Sequence, residues 1–155
     1  MLDDFREEIE ETAEVKKHNN AVKFKYEDME FLIRPLSYKP FQKRFDMLMK
    51  PYKRNASAGK VSEQKCTEIL ARAVSEKLLD GWKNMRISEI VVKSDFTEFK
   101  GKADKDGGVT IPFSIKNAFT ILSHPFFKRY LLWIKDMADD EHAYIVTEEK
   151  ENAKN

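Results

Sequence analysis

The chain has 155 residues, enough for one domain with a substantial hydrophobic core. Hydrophobic residues make up 41% and charged residues 35%, and the formal net charge is +1. This balance excludes a disordered polyelectrolyte and supplies no global field toward nucleic acid or membrane. Its one cysteine, Cys66, excludes an intramolecular disulfide and fits a reducing compartment.

The charge is unevenly placed. Residues 3–14 are acidic with only Arg6 opposing, and residues 34–60 are basic with only Asp46 opposing. Two solvated faces that neutralise each other would account for this, as would a basic face meeting an acidic partner or nucleic acid. The start of the chain, MLDDFREEIEE, lacks the basic and apolar regions of a signal peptide. No uncharged run approaches the roughly 18 residues of a membrane span. A cytoplasmic protein is expected.

Residues 3–15 read as an acidic helix whose apolar side (Phe5, Ile9, Ala13) is thin, within an N-terminal unit over 1–18. Val22, Phe24 and Tyr26 alternate with lysines, and Phe31 and Ile33 resume the alternation. This predicts an antiparallel β-hairpin over 22–34 with its turn near 27–29, closed by Pro35. Ser37 is a candidate N-cap, with Leu36 and Phe41 at hydrophobic-staple spacing. Phe41, Phe45, Leu48, Met49 and Tyr52 follow at helical intervals, and Pro51 ends or kinks that helix.

After a polar linker, KRNASAGK, Ser62 begins a second helix with the stripe Cys66, Ile69, Leu70, Ala73, Val74 and Leu78. Cys66 on this stripe reads as a buried thiol. Gly81 reads as the helix stop. Residues 87–110 are mixed: EIVVK is a candidate strand, and KGKADKDGG is an exposed turn. VTIPF reads as extended, because Pro112 biases Ile111 away from helix. Ser114 caps a short helix carrying Ile115, Ala118, Phe119 and Leu122. A last helix starts at His124–Pro125 and turns Phe127, Tyr130, Leu131, Ile134, Met137 and Ala138 to one face. Phe126 and Trp133 fall on another. Residues 147–155 read as a flexible polar tail. The expected fold class is α+β, a mainly helical single domain over 21–146 with a small N-terminal antiparallel β-hairpin.

Motifs for catalysis are missing from the sequence. His18, His124 and His142 are scattered without ligand spacing, and DKDGG lacks the acidic ligands of a calcium loop. Phosphate-loop, dinucleotide and nucleophile-elbow patterns do not occur. No enzyme, cofactor or metal is expected. The aromatic residues of the basic stretch are better explained as core than as base-stacking platforms, so nucleic acid is not the expected partner.

The order of motifs carries more than any one of them. A hairpin ending in FLIRPLS is followed by two helices, LLDGWKNM, a glycine-containing turn and IPFSIKNAFTILSHPFFKRYLLWI. Gly81–Trp82, Gly107–Gly108, the residues 111–114, Asn117–Ala118, Leu122–Ser123 and His124–Pro125 mark its steps. Over residues 22–139 this order resembles the tail assembly chaperones of long-tailed bacteriophages. The loop over 85–107 and the acidic N-terminal helix stand outside that pattern. The terminal Ala153–Lys154–Asn155 also fits the coding capacity of a minus-one slippery heptamer, as in genes whose longer product arises by frameshifting.

The resemblance implies a non-enzymatic role in the bacterial host cytoplasm and absence from the mature virion. Such a chaperone binds the tape measure protein and masks its apolar surface during tail morphogenesis, with the major tail tube protein as a further partner. The alternative is a structural tail or head–tail adaptor protein retained in the virion. The partner-binding candidates are Phe126, Trp133 and Tyr130 on the last helix, with Lys43 and Arg44 in the basic stretch. Self-association through Phe126 and Trp133 is a further option, and core burial of Trp133 is the competing reading. Trp82 is expected in the core, against Ile111 or Phe113, with a partner role as its alternative.

Overall fold

The computed structural model describes residues 21–53, 61–88, 96, 99, 101–145 and 150. The predicted N-terminal helix, most of the polar linker, EIVVK and nearly all of the tail lie outside the described residues. Strands β1 (Val22–Tyr26) and β2 (Met29–Ile33) form the expected hairpin. No glycine serves its two-residue turn; Glu27 takes the left-handed conformation at φ 57° instead. That geometry costs a non-glycine residue about 1–2 kcal/mol, which the flanking ladder offsets.

Helix α1 (Lys39–Met49) begins after Tyr38, one residue later than the Ser37 cap predicts, and no side chain caps it. Pro40 explains this. It removes one of the amides a cap would satisfy, and the Phe41 amide donates to the Tyr38 carbonyl at 3.1 Å. A 3₁₀ turn (Lys50–Tyr52) follows, at the predicted Pro51 break. Helix α2 (Glu63–Ala73) is capped as expected, with Ser62 Oγ accepting from the Lys65 amide at 3.1 Å. It continues into one π turn (Val74–Leu78). Cys66 is half-buried rather than enclosed.

The predicted helix stop at Gly81 is overturned. Residues Leu79–Lys83 form strand β3, which pairs antiparallel with β2 and completes a sheet of order β1-β2-β3. Leu32 pairs with Gly81 but Ile33 pairs with Leu79, so Asp80 is an extra residue, a β-bulge. The bulge brings Leu79 and Trp82 onto the same face although they are three apart in sequence. That face carries Phe24, Phe31 and Trp82 in one cross-strand row.

Strands β4 (Arg86–Ser88) and β5 (Gly108–Thr110) make a separate antiparallel ribbon. Helix α3 (Ile115–Leu122) is capped by Ser114, whose Oγ accepts from the Asn117 amide at 3.0 Å. A 3₁₀ turn (Pro125–Phe127), capped by His124, leads into helix α4 (Lys128–Ala138). Helix α4 lies on the apolar face of the sheet, where Tyr130 and Trp133 meet Tyr26 and Phe31. One core joins these elements, with Phe31, Ile33, Val74, Leu78, Ile121, Leu122, Leu131 and Ile134 fully enclosed. The fold is α+β with its hairpin near the N-terminus, as the sequence predicts.

The DKDGG turn closes on itself. Asp104 Oδ1 accepts from the amides of Asp106 (2.9 Å) and Gly108 (3.1 Å), and the Arg86 guanidinium donates to both carboxylate oxygens at 2.7 and 2.8 Å. The Arg86 side-chain bond, followed by the Gly108 amide, holds the Asp104 carboxyl well below the usual carboxylate range. A depressed folded pKa stabilises the fold above the unfolded value and loses that contribution as pH falls toward the folded one. Asp104→Asn is therefore expected to weaken the protein near pH 7 and to converge with wild type as pH falls below about 3.9. Urea melts across that window check it; parallel curves at every pH would show that the pair contributes nothing.

Candidate partner-binding surface

The 3₁₀ turn before α4 presents the most prominent of the expected positions. Phe126 is 60% exposed, while its neighbour Phe127 is buried. The Phe126 ring stands edge-on to Phe127 at 5.2 Å and to His124 at 6.5 Å. The cap explains the pose: His124 Nδ1 accepts from the Phe126 amide at 3.1 Å, and the Arg129 guanidinium donates to the Phe126 carbonyl at 3.4 Å. An ion pair between Lys128 and Glu63 and a bond from Gln64 to the Ser123 carbonyl tie this turn to the start of α2. The Lys128 side-chain bond lowers the pKa of Glu63. The result is an exposed aromatic ring on a hydrogen-bonded turn with a charged rim.

The remaining candidates fall elsewhere. Tyr130 is only 6% exposed; it stacks on Phe127 and meets Tyr26 edge-on at 5.4 Å. Trp133 is half-buried, 4.9 Å from the Tyr26 ring and 5.3 Å from Phe31. Both serve the packing of α4 on the hairpin. Arg44 is engaged within the fold, donating to Glu76 at 2.7 and 3.3 Å, whereas Lys43 is exposed on α1. The structure therefore brings Phe126 into contact with Phe127 and through it with Tyr130, Tyr26 and Trp133, as a run of touching rings of which Phe126 is the most exposed.

Sequence periodicity does not single out Leu132 and Met47, both exposed apolar side chains, and Ile115, predicted on the apolar spacing of its helix, is 51% exposed because Asn117, Ala118, Ile121 and Leu122 form the buried side. Leu132 lies on α4 between the predicted positions; its signal was its absence from the buried set around Tyr130, Leu131 and Ile134. Among the described residues no group of His, Cys, Asp and Glu is placed to hold a metal ion. Nor is any described helix long and apolar enough to cross a membrane.

The family model described as YdaY prophage protein matches residues 36–155. The chain belongs to that family and is of phage origin. No curated protein and no solved structure matches it.

Proposed function

We propose that this phage-derived protein is a tail assembly chaperone, acting in the host cytoplasm without catalysis and absent from the finished virion. It binds the tape measure protein and covers that protein's apolar stripes until the tail tube replaces it. The observation that supports this reading most directly is Phe126, exposed beside buried Phe127 and held by the His124 cap and Arg129. An apolar ring with a charged rim binds apolar helices and still releases them, because little area is committed. The order of motifs from the hairpin to the last helix, within a prophage family, is the second support.

The test is co-expression with the phage's tape measure protein. Wild type is expected to keep it soluble and to co-elute with it. Phe126→Ser is expected to abolish co-elution while its folding stability stays within about 0.5 kcal/mol of wild type, as for other surface changes. An insoluble tape measure protein in the presence of wild type would overturn the proposal. Recovery of the chain from purified particles would replace it with the virion adaptor.

A further inference from the structure

The outward face of α1 carries an unbalanced run of lysines. Lys39, Lys43, Met47 and Lys50 recur at intervals of three or four and so line one side of the helix. The three lysines are exposed and make no ion pair among the described residues. Met47 is 63% exposed, the highest value among the large apolar side chains described. Asp46 is the one carboxylate on that side. The opposite side is fully committed: Phe41 is buried, Phe45 and Leu48 pack on the core, and Arg44 is bonded to Glu76. A lysine stripe around an exposed methionine suits an acidic amphipathic segment with a small apolar side.

The chain carries such a segment. Residues 3–14 hold Asp3, Asp4, Glu7, Glu8, Glu10, Glu11 and Glu14 against Arg6 alone, with Phe5 and Ile9 one helical turn apart. Topology puts it within reach. Val22 pairs with Ile33, so β1 starts at the sheet end where β2 finishes. The chain then passes through residues 34–38 directly into α1. A connection over 15–21 spans up to about 25 Å, and α1 is about 16 Å long.

We propose that the acidic segment 3–14 docks in cis on the Lys39–Lys43–Met47–Lys50 stripe of α1 and the 3₁₀ turn that follows it, with Phe5 and Ile9 over Met47. Its pairs are solvent-exposed, so each is weak and salt-sensitive. Tethering supplies the effective concentration that makes their sum count. The segment thereby covers the strongest basic stripe described in the fold, and an acidic competitor displaces it. This inference does not depend on the chaperone reading.

Amide hydrogen exchange on the full chain tests it. Three samples are compared: wild type, the stripe variant Lys39→Glu/Lys43→Glu/Lys50→Glu, and the segment variant Glu7→Lys/Glu8→Lys/Glu11→Lys. Wild-type amides of residues 3–14 are expected to exchange about tenfold more slowly than in either variant at low salt, and the difference is expected to vanish at about 0.5 M salt. Combining both variants reverses the charges and is expected to restore part of the protection. Equal exchange in wild type and both variants would overturn the proposal. Protection that rises with protein concentration would also overturn it, assigning the segment to a second copy. All substituted lysines are exposed, and unchanged melts confirm that each variant is folded.

Discussion

Trp82→Ala is expected to cost about 3–5 kcal/mol of folding stability, the range for removing a large buried aromatic. The indole sits in the row Phe24, Phe31, Trp82 across the sheet, 6.3 Å from the Phe31 ring and 5.1 Å from Phe113. Its Nε1 donates to the Ile111 carbonyl at 2.9 Å, in a buried bond that joins the sheet to the segment before α3. Truncation opens a cavity and leaves that carbonyl without its donor. Trp82→Phe separates the two losses: it keeps most of the packing and is expected to cost about 1–3 kcal/mol, the penalty of an unpaired buried acceptor with a modest packing defect. Denaturant melts of both variants check this. A loss below about 1 kcal/mol for Trp82→Ala would show that the indole is not part of the core. The contrast with Phe126→Ser, expected to be nearly silent in the same melts, separates the residue that holds the fold from the one that faces a partner.

Trp82 also shows where sequence patterns inform and where they mislead. Its neighbours Ile111 and Phe113 were legible, because an aromatic between polar turn residues needs a core to enter and VTIPF offers an extended apolar edge. Its strand was not legible. Leu79 and Trp82 are three residues apart, a helical interval, and only the Asp80 bulge turns both inward from a strand. The π turn over Val74–Leu78 extends the helical stripe up to that point, so the change of period has no local marker. The hairpin and the Ser62, Ser114 and His124 caps were legible because each depends on residues within a few positions of one another. The β4–β5 ribbon pairs three-residue strands across the 89–107 stretch, which no local pattern announces.

The partner surface was legible in part for a similar reason. Phe126 and Trp133 are seven residues apart, a spacing that would put them on one side of a continuous helix, but Phe126 lies in the 3₁₀ turn before α4 and Trp133 lies within α4. The hairpin roofs Trp133 through Tyr26 and Phe31 and leaves Phe126 uncovered. Helical spacing does not mean a shared environment when the covering sheet is only a few residues wide. Position relative to the sheet, before α4 or within it, decides which aromatic is covered.

Arg34→Ala is expected to cost about 3 kcal/mol, more than any other charge removal in the described fold. Arg34 follows β2 and is 9% exposed. Its Nη1 donates to the Lys77 carbonyl at 2.8 Å and the Leu79 carbonyl at 3.3 Å, and its Nη2 donates to Asp80 Oδ1 at 2.6 Å. Its guanidinium also lies over the Tyr38 ring at 5.1 Å. These contacts span the end of the π turn and the bulge, where the widened helix and the interrupted ladder leave carbonyls in need of donors. Breaking a buried pair costs about 3–5 kcal/mol when the partner is left enclosed, but Asp80 is one-third exposed and regains water, which sets the lower end. Arg34→Lys is expected to recover less than half, since one ammonium cannot reach two carbonyls and a carboxylate in a fixed fork. Because the Asp80 bulge also aims Trp82 inward, Arg34→Ala and Trp82→Ala should be non-additive: both loosen β3, so the double variant loses less than the two singles combined. Urea melts of the three variants, followed by far-UV circular dichroism because Trp82 is itself substituted, measure that coupling. Strict additivity, or a loss under about 1 kcal/mol for Arg34→Ala, would show that the bulge holds its register without the arginine.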